Sequence, residues 1–466
     1  MTLPTAAVAA ASPLEQALAS LKEMLGERLN VSRAVREQHA HGVNLTTGLA
    51  PDAVVWPLDK HEVSRILACC HRFGVPAIAF GAGSSLEGHV SAPHGGVCID
   101  LSRMDAVIAV HAEDGDCVVQ PGLTRESLNA QLKGSGLFFS VDPGANASIG
   151  GMVSTGASGT TTLRYGSMAQ NVMALELALA DGRLVRLGTR ARKSSAGFDL
   201  VRLLVGAEGT LGVITEVTLR LHPLPPEVAA ASCAFPTLEA AVAAVTELSM
   251  CGVPLARMEF LDEHQVRACN QHSQLGLVEL PTLFLEFHGS AAAVKEQAEL
   301  AQEVAAGHGG VAFEWATRPE DRSRLWRARH LAYFAALALK PGCQSIVSDV
   351  CVPISALAEC VAQTRRDIDQ EGLVAPMLGH VGDGNFHVIF LPMPDAPAEQ
   401  QAVDRVYSAL LRRARELGGT CTGEHGIGMG KKDTLLEQYG PDVVELMRLT
   451  KLAWDPTSLL NPGKIF

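Results

Sequence analysis

Hydrophobic and polar positions in the first half of the chain follow two different periods. Apolar residues recur at helical spacing in residues 13–30 and 60–73, and the second segment lies between Asp59, which can cap a helix, and Gly74, which can end one. Short apolar runs around them predict strands at residues 53–57, 76–80, 97–100, 117–119, 174–180 and 184–187 and within 206–221. This alternation predicts an α/β opening domain.

A proline-rich segment at residues 222–226 separates this part from a second pattern. There, a strand at 228–235 precedes a helix at 238–250, and the continuing order predicts an antiparallel sheet with helices on one face. The remaining elements are predicted as strands at 257–261, 282–289 and 349–353 and as helices at 291–307, 317–341, 354–370, 398–417, 433–439 and 441–453.

Two histidines flank a predicted hairpin turn in the sequence GHVGDGNFH. Asp383-Gly384 between two strand-like runs is typical of a type I′ turn, in which both central residues have positive φ. Such a turn places His380 directly opposite His387 on one face of the hairpin. Two facing imidazoles suit a divalent cation, and a pair of buried, satisfied histidines is the alternative interpretation.

Glu424, in the sequence GEHG, would complete a His₂Glu donor set of the kind that holds a catalytic ion with open positions. Zinc, manganese and iron all fit this set. The neighbouring His425 is interpreted as a general base, with a fourth metal ligand as the alternative. The surrounding glycines permit the turn that brings both side chains into one site.

Two glycine-rich segments point to a phosphate-bearing ligand. Residues 81–88 (GAGSSLEG) directly follow a predicted strand, where backbone N–H groups can hold an anion, although a purely structural turn is the alternative. Residues 143–166 contain so many small residues that a flat ligand can approach the backbone closely. A flexible linker is less consistent with the apolar residues in this second segment.

Composition limits the class of protein. The chain has 466 residues, enough for two or three domains, and its net charge of −12 argues against nucleic acid as a partner. Its 11 cysteines include no CxxC pair, which predicts reduced thiols. The first 13 residues lack the basic residues of a signal or transit peptide, and no apolar run reaches membrane-spanning length. These features predict a cytoplasmic protein, at most peripheral at a membrane.

The order of GAGSSLEG, PGANASIGG, RYG and EGTLGVIT, with LLNPGKIF at the end, resembles flavoproteins of the vanillyl-alcohol oxidase type. Over its whole length the chain is similar to FAD-linked D-lactate dehydrogenases, whose relatives are glycolate oxidase FAD subunits and D-2-hydroxyglutarate dehydrogenases. The resemblance implies an α+β protein with an FAD-binding domain and an α+β substrate (cap) domain built on an antiparallel sheet. We expect an N-terminal helical segment at residues 1–44, an FAD-binding domain at 45–225, a substrate domain at 226–453 and a return to the FAD-binding domain at 454–466.

The resemblance also assigns residues to the cofactor, since in this family the first loop holds the FAD pyrophosphate and the second segment runs along the flavin. We expect the FAD to be held non-covalently. The implied FAD-binding residues are Gly81, Ala82, Gly83, Ser84, Ser85, Gly88, Pro143, Gly144, Ser148, Ile149, Gly150, Gly151, Ser154, Ala157, Ser158, Gly159, Glu208, Gly209, Gly212, Ile214 and Asn461.

The implied reaction oxidises a D-2-hydroxy acid to a 2-keto acid by hydride transfer to the flavin. A metal at His380, His387 and Glu424 would bind the substrate, His425 would accept the hydroxyl proton, and Arg329 in the sequence WRAR would anchor the carboxylate. Arg164 is a second candidate anchor. The sequence has no haem or iron–sulfur motif, so electrons would leave to an external cytochrome, quinone or flavoprotein. The resemblance also allows a homodimer.

Two positions narrow the substrate. Hydroxyglutarate-specific relatives tend to carry a lysine where this chain has Val347 and a polar residue where it has Ile389. Because both changes remove groups that would meet a second carboxylate, we expect a short monocarboxylic acid, D-lactate first, giving pyruvate. The alternatives are a glycolate oxidase FAD subunit and a D-2-hydroxyglutarate dehydrogenase.

Overall fold

The computed structural model describes residues 11–42 and 48–466; the expected domain start at residue 45 and most of the Ala-rich N-terminus lie outside the described residues. Helix α1 (Pro13–Leu25) starts with a capping box between Ser12 and Glu15. It is shorter than the predicted helix at 13–30, because the chain leaves the helical conformation at Gly26 and then forms strand β1 (Leu29–Asn30). Helix α2 follows at Arg33–Gln38.

The first sheet has four strands in the order β1-β2-β4-β3. Its other strands are β2 (Ala53–Val55), β3 (Ala77–Phe80) and β4 (Val97–Asp100), and β4 pairs in parallel with both neighbours. Helix α3 (Lys60–Phe73) has the predicted ends: the Asp59 carboxylate accepts from two backbone N–H groups, and Gly74 adopts φ 65°. Local capping chemistry thus determined both ends of this helix.

The second sheet is antiparallel, with five strands in the order β5-β6-β10-β8-β9. Its strands are β5 (Val107–His111), β6 (Asp116–Val119), β8 (Val172–Ala178), β9 (Leu184–Gly188) and β10 (Val213–Arg220). A two-stranded ribbon joins β7 (Leu137–Phe138) to β11 (His222–Pro223). The helices of this region are α4 (Arg125–Gln131), α5 (Ile149–Thr155), α6 (Thr162–Tyr165), α7 (Met168–Asn171) and α8 (Leu200–Leu204).

The third sheet is the antiparallel sheet expected for the second half, in the order β15-β12-β14-β13-β18-β19-β16, with β17 also paired to β19. Its strands are β12 (Glu227–Ala234), β13 (Leu255–Leu261), β14 (Thr282–Gly289), β15 (Val311–Ala316), β16 (Ile346–Val347), β17 (Val350–Cys351), β18 (Met377–Gly379) and β19 (Asn385–Phe390). The helices are α9 (Leu238–Met250), α10 (Glu263–Ser273), α11 (Ala291–Gly307), α12 (Pro319–Leu339), α13 (Ile354–Gln370), α14 (Pro397–Glu416) and α15 (Lys432–Trp454).

The sequence predicted the break in helix α15 but not the presence of helix α10. Helix α10 was not predicted, because its sequence EHQVRACNQHS is mostly polar, although Gln265, Val266, Ala268 and Cys269 are buried. Helix α15 contains the predicted break, since Gly440 has φ 76° and Pro441 follows it.

The end of the chain contacts the first sheet. Ala77 donates its N–H to Leu459 O (2.9 Å), and Asn461 N donates back to Ala77 O (2.8 Å). All eleven cysteines are free thiols. Within residues 11–42 and 48–466, no helix is both long enough and apolar enough to cross a membrane.

Candidate active site and metal centre

The hairpin that carries the two histidines has a different register from the predicted one. Leu378, rather than His380, lies opposite His387, and residues 380–384 form a loop that contains a 3₁₀ turn. Of the predicted turn pair only Gly384 has a positive φ, of 78°. The type I′ turn and the 380–387 pairing are therefore wrong. The offset is two residues, and because side chains alternate with a period of two, both histidines stay on the same face.

His380, His387 and Glu424 converge on one point. The Nε2 atoms of both histidines lie 3.4 Å from Glu424 Oε1. Their Nδ1 atoms are engaged elsewhere: His380 Nδ1 is 2.7 Å from Glu259 Oε1, and His387 Nδ1 is 3.0 Å from the backbone oxygen of Ser348. These partners orient each ring so that its Nε2 faces the point where a metal ion would bind.

This donor set fits a divalent cation. Two ligands at about 2.1 Å from an ion, at a tetrahedral angle, are about 3.4 Å apart, which matches the 3.4 Å between each Nε2 and the carboxylate oxygen. Burial alone would raise the pKa of Glu424, but His380 and His387 hold that pKa well below its usual range, so the carboxylate is ionised as a ligand must be. Burial alone would lower the pKa of His380, but Glu259 and Glu424 hold that pKa well above its usual range, so a cation would bind by replacing the proton of His380. The three ligand atoms lie within 4.8 Å of one another.

Asp349 anchors the loop that carries Glu424 and His425. It is fully buried, and one oxygen accepts hydrogen bonds from the backbone N–H groups of Gly423 (2.8 Å), Glu424 (2.9 Å) and His425 (2.8 Å) and from a threonine hydroxyl. Asn385 donates to the other oxygen at 2.8 Å. With its acceptor positions occupied in this way, Asp349 fixes the loop rather than binding the ion. The sequence alone does not reveal this role, because a single aspartate at a strand start forms no pattern.

His425 lies on the same cavity wall as His380, His387 and Glu424. Its ring stacks on that of His387, with centroids 5.1 Å apart and planes within 6°. Burial lowers the pKa of His425 to about 4, so the imidazole is neutral at pH 7. Its Nδ1 has no hydrogen-bond partner in the described part of the chain. Its ring lies close to donor atoms of Asp349 and His387 but does not join the set of His380, His387 and Glu424, so it is separate from that donor set.

Glu259 joins Arg329 to the candidate metal centre. Arg329 Nε donates to one oxygen of Glu259 at 2.6 Å, while the other oxygen meets His380 Nδ1. Glu259 was not among the residues predicted from the sequence. The pattern that could have revealed it is the alternation of two charged residues, Arg257 and Glu259, in the otherwise apolar strand LARMEFL.

A cavity of about 960 Å³ opens in front of this centre. It is lined by all five residues predicted for catalysis and metal binding, together with most of those predicted for the cofactor. The predicted cofactor residues on its wall are Gly81, Ala82, Gly83, Ser84, Ser85, Pro143, Gly144, Ser148, Gly150, Gly151, Ser154, Ala157, Ser158, Glu208, Gly209, Gly212, Ile214 and Asn461.

The cavity wall formed by the glycine-rich loops suits FAD. A Cβ at Gly81 would lie 2.1 Å from Ser148 Oγ, and one at Gly212 would lie 2.2 Å from a Leu177 methyl carbon. The hydroxyls of Ser85 and Ser148 are buried without hydrogen-bond partners among residues 11–42 and 48–466. Such a close-packed backbone with unpaired donors fits a phosphate-bearing ligand.

Some predicted site residues lie elsewhere or contact protein groups. Gly88, Ile149 and Gly159 are not on the cavity wall; Ile149 is fully buried in the core. Arg164, the second candidate anchor, is also off the wall, since it donates to two backbone carbonyls of the third-sheet region.

Ser158 Oγ donates to the metal-ligand candidate Glu424 at 2.6 Å. Its position thereby links the second glycine-rich segment to the metal centre.

Comparison with known families identifies the class of protein. Residues 51–188 match the family described as FAD binding domain, and residues 224–465 match the family described as FAD linked oxidases, C-terminal domain. The chain therefore belongs to the FAD-linked oxidases, and FAD is its cofactor. Within that family it groups with the FAD-dependent D-lactate dehydrogenases, which confirms the resemblance indicated by the sequence.

The relatives support this grouping over nearly the whole chain. The chain is 46% identical to a probable mitochondrial D-lactate dehydrogenase of Danio rerio, covering 97% of this chain and 92% of the relative. It is 41% identical to the mitochondrial D-lactate dehydrogenase [cytochrome] of Arabidopsis thaliana (97% and 80% covered) and 31% identical to the glycolate oxidase subunit GlcD of Bacillus subtilis (94% of each).

These names contradict the predicted cytoplasmic localisation, because the relatives from Danio rerio and Arabidopsis thaliana are named as mitochondrial proteins. That prediction rested on free cysteines and on the composition of the first residues. Free thiols indicate a reducing environment and do not distinguish one reducing compartment from another.

Solved structures confirm the vanillyl-alcohol oxidase-type fold. The 4-ethylphenol oxidase of Gulosibacter chungangensis superimposes with a TM-score of 0.78 at 21% identity, covering 100% of this chain and 98% of that one. A p-cresol methylhydroxylase superimposes with a TM-score of 0.77 at 18% identity, covering 97% and 96%. At such low identity the likeness describes the fold alone.

Proposed function

We propose that this protein oxidises D-lactate to pyruvate by hydride transfer to FAD, with a divalent cation at His380, His387 and Glu424 and with His425 as the proton acceptor. The observation that carries the proposal is that these four side chains and the glycine-rich loops line one cavity. A metal donor set, an uncharged imidazole and a flavin cradle are thus within reach of one small substrate.

The chain's own residues would hold the substrate at its two ends. Arg329 is fixed through Nε by Glu259, and its two terminal nitrogens make no hydrogen bond within the described residues, so they can bind a carboxylate as a fork. A bound cation would supply Lewis acidity that makes the 2-hydroxyl more acidic, and FAD would supply the acceptor for the hydride from C2.

His425 is suited to take the hydroxyl proton. Its pKa, lowered to about 4 by burial, leaves the ring unprotonated at neutral pH. Asp349 holds the His425 backbone, and His387 stacks against its ring, so the imidazole is fixed in orientation before substrate arrives.

Apolar side chains favour a short substrate. Leu378, Val347 and Ile389 line the cavity near the metal-ligand candidates, with no cation among the three to meet a second carboxylate. The electron acceptor is proposed to be an external cytochrome, because the Arabidopsis thaliana relative is named for one. The B. subtilis GlcD relative and the absence of any size barrier to a smaller acid make glycolate the second candidate substrate.

The test is anaerobic bleaching of the bound flavin. Purified holoenzyme is mixed with D-lactate, L-lactate, glycolate and D-2-hydroxyglutarate, each with and without a chelator, and the flavin absorbance is followed. We expect fastest bleaching with D-lactate, loss of bleaching after chelation, and recovery on adding zinc or manganese. Bleaching that is unaffected by complete removal of metal, verified by elemental analysis, would refute the metal's role. Preference for D-2-hydroxyglutarate would refute the proposed substrate.

A further inference from the structure

Two glutamates contact residues 427–431, the segment that follows His425. Both come from the expected FAD-binding domain (residues 45–225), which is called the flavin-binding region below. Glu208, in the EGTLG turn, accepts hydrogen bonds from the backbone N–H groups of Ile427 (2.7 Å) and Gly428 (2.8 Å), one on each carboxylate oxygen. Glu208 is 5% exposed and has φ 52°, an uncommon conformation for a non-glycine residue. Its side chain, expected to serve the cofactor, therefore binds the protein backbone.

Glu87, at the end of the first glycine-rich loop, contacts the next residues of the same segment, Met429 and Lys431. Its backbone oxygen accepts from Met429 N at 2.8 Å, and its carboxylate lies 2.9 Å from Lys431 Nζ. Both side chains of this ion pair are largely buried, with 14% and 4% exposed. A charge pair at this depth is costly to break, because either partner alone would be an uncompensated buried charge.

The glycines in the segment are required by these contacts. A Cβ at Gly426 would lie 2.7 Å from Glu208 Oε1, and a Cβ at Gly428 would lie 2.0 Å from the Glu87 backbone oxygen. Asn461, from the end of the chain, supports the arrangement by donating to the backbone oxygen of Glu208 at 2.7 Å.

The backbone N–H groups from residue 423 to residue 428 all have side-chain acceptors. Asp349, from the third-sheet region, accepts those of 423, 424 and 425; the Thr422 hydroxyl accepts that of Gly426; and Glu208, from the flavin-binding region, accepts those of 427 and 428. The loop is thus held by one carboxylate on the substrate side and by another on the flavin side.

We propose that Glu87 and Glu208 are positioning residues that fix the His425 loop to the flavin-binding region and so set the distance between the base and the flavin. The inference rests on the proposed role of His425. Because Asp349 holds the backbone of Glu424 and His425 on the substrate side and makes no contact through Glu87 or Glu208, loss of either glutamate leaves the candidate metal centre assembled. It lets that centre shift relative to the flavin, and a misplacement of about 1 Å costs on the order of 100-fold in rate.

The test compares Glu208→Gln, Glu87→Gln and Lys431→Met with wild-type holoenzyme. The matched control is Glu62→Gln, since Glu62 is also a largely buried glutamate of the flavin-binding region that accepts from an arginine and from a backbone N–H.

Three measurements are made on each protein. They are stopped-flow flavin reduction at saturating D-lactate, the content of FAD and metal, and amide hydrogen exchange of residues 420–431. We expect flavin reduction to be slower by about 10- to 100-fold, with faster exchange in residues 426–431 and unchanged FAD and metal content. The control is expected to match wild type.

Unchanged reduction rates and unchanged exchange in all three variants would overturn the inference. Loss of FAD in proportion to the loss of rate would also overturn it, because Glu208 would then act on the cofactor. If wild-type enzyme itself fails to reduce its flavin with any hydroxy acid, the proposed function fails, while the exchange measurement still decides whether the two glutamates hold the loop.

Discussion

Val347 and Ile389 lie directly opposite each other on the antiparallel strands β16 and β19, and both line the cavity beside the candidate metal centre. The two positions singled out in the sequence as substrate determinants are therefore one contact pair. Because directly opposed side chains on one face touch each other, the pair forms a single apolar patch that offers nothing to a second carboxylate.

Replacing Val347 by lysine is expected to shift the substrate preference toward dicarboxylates. The new ammonium group would pair with the distal carboxylate of D-2-hydroxyglutarate. We expect the ratio of kcat/KM for D-2-hydroxyglutarate to kcat/KM for D-lactate to rise by at least about tenfold, which corresponds to about 1.4 kcal/mol. The measurement is kcat/KM for both acids in wild type and variant. Val347→Met is the size control and should leave the ratio near that of wild type; an unchanged ratio in the lysine variant would contradict the assignment.

Glu259→Gln is expected to weaken both substrate binding and metal retention. The neutral amide loses the charged partner of Arg329 Nε and of His380 Nδ1 at once, and removing such an outer partner of a metal ligand typically costs about 10- to 100-fold in metal affinity or activity. Metal affinity by chelator competition and KM for D-lactate report the two effects. Arg329→Lys is the companion variant: it should raise KM and leave metal affinity unchanged.

Asp349→Asn is expected to disorder the catalytic loop. An amide cannot accept as many hydrogen bonds as the carboxylate that now receives three backbone N–H groups and a hydroxyl, and buried donors left unpaired cost about 1–3 kcal/mol each. We expect loss of bound metal and a fall in the free energy of unfolding of about 2 kcal/mol or more, measured by denaturant titration. Thr422→Val removes only one donor and should have a much smaller effect.

Asp262 is expected to make stability depend on pH. It is fully buried, and burial raises its pKa from 3.8 to about 7. The folded state then binds more protons than the unfolded state between about pH 4 and 7. The free energy of unfolding is therefore highest at low pH and falls as the pH rises through this window, by up to about 4 kcal/mol.

Asp262→Asn tests this directly, because asparagine can still accept the N-terminal hydrogen bond from Gln265 N that Asp262 now accepts at 2.7 Å. We expect the variant to gain stability over wild type progressively from pH 4 to pH 8. Asp369, which also pairs with Arg365 but is exposed, provides the control substitution. A stability difference that does not change with pH would show that Asp262 is ionised throughout.

Local chemistry explains which parts of the fold could be predicted from the sequence. The Asp59 cap and Gly74 end of α3, and the break at Gly440, need only neighbouring residues. The register of the β18–β19 hairpin was wrong because residues 380–384 adopt a 3₁₀ turn that a turn dipeptide alone does not encode. Helix α10 was missed because its burial comes from packing against α12 rather than from apolar periodicity.

The sequence by itself determined the chemical groups of this protein: two glycine-rich loops, two histidines seven residues apart, and a Glu-His pair between glycines. Only the tertiary structure decided how they are held. Asp349, Glu259, Glu87 and Glu208 each bind groups far away in the chain, and Glu208 reaches a backbone N–H that lies 219 residues further on. Such partners follow no local spacing, since a buried carboxylate is stabilised by whatever donors the fold brings to it.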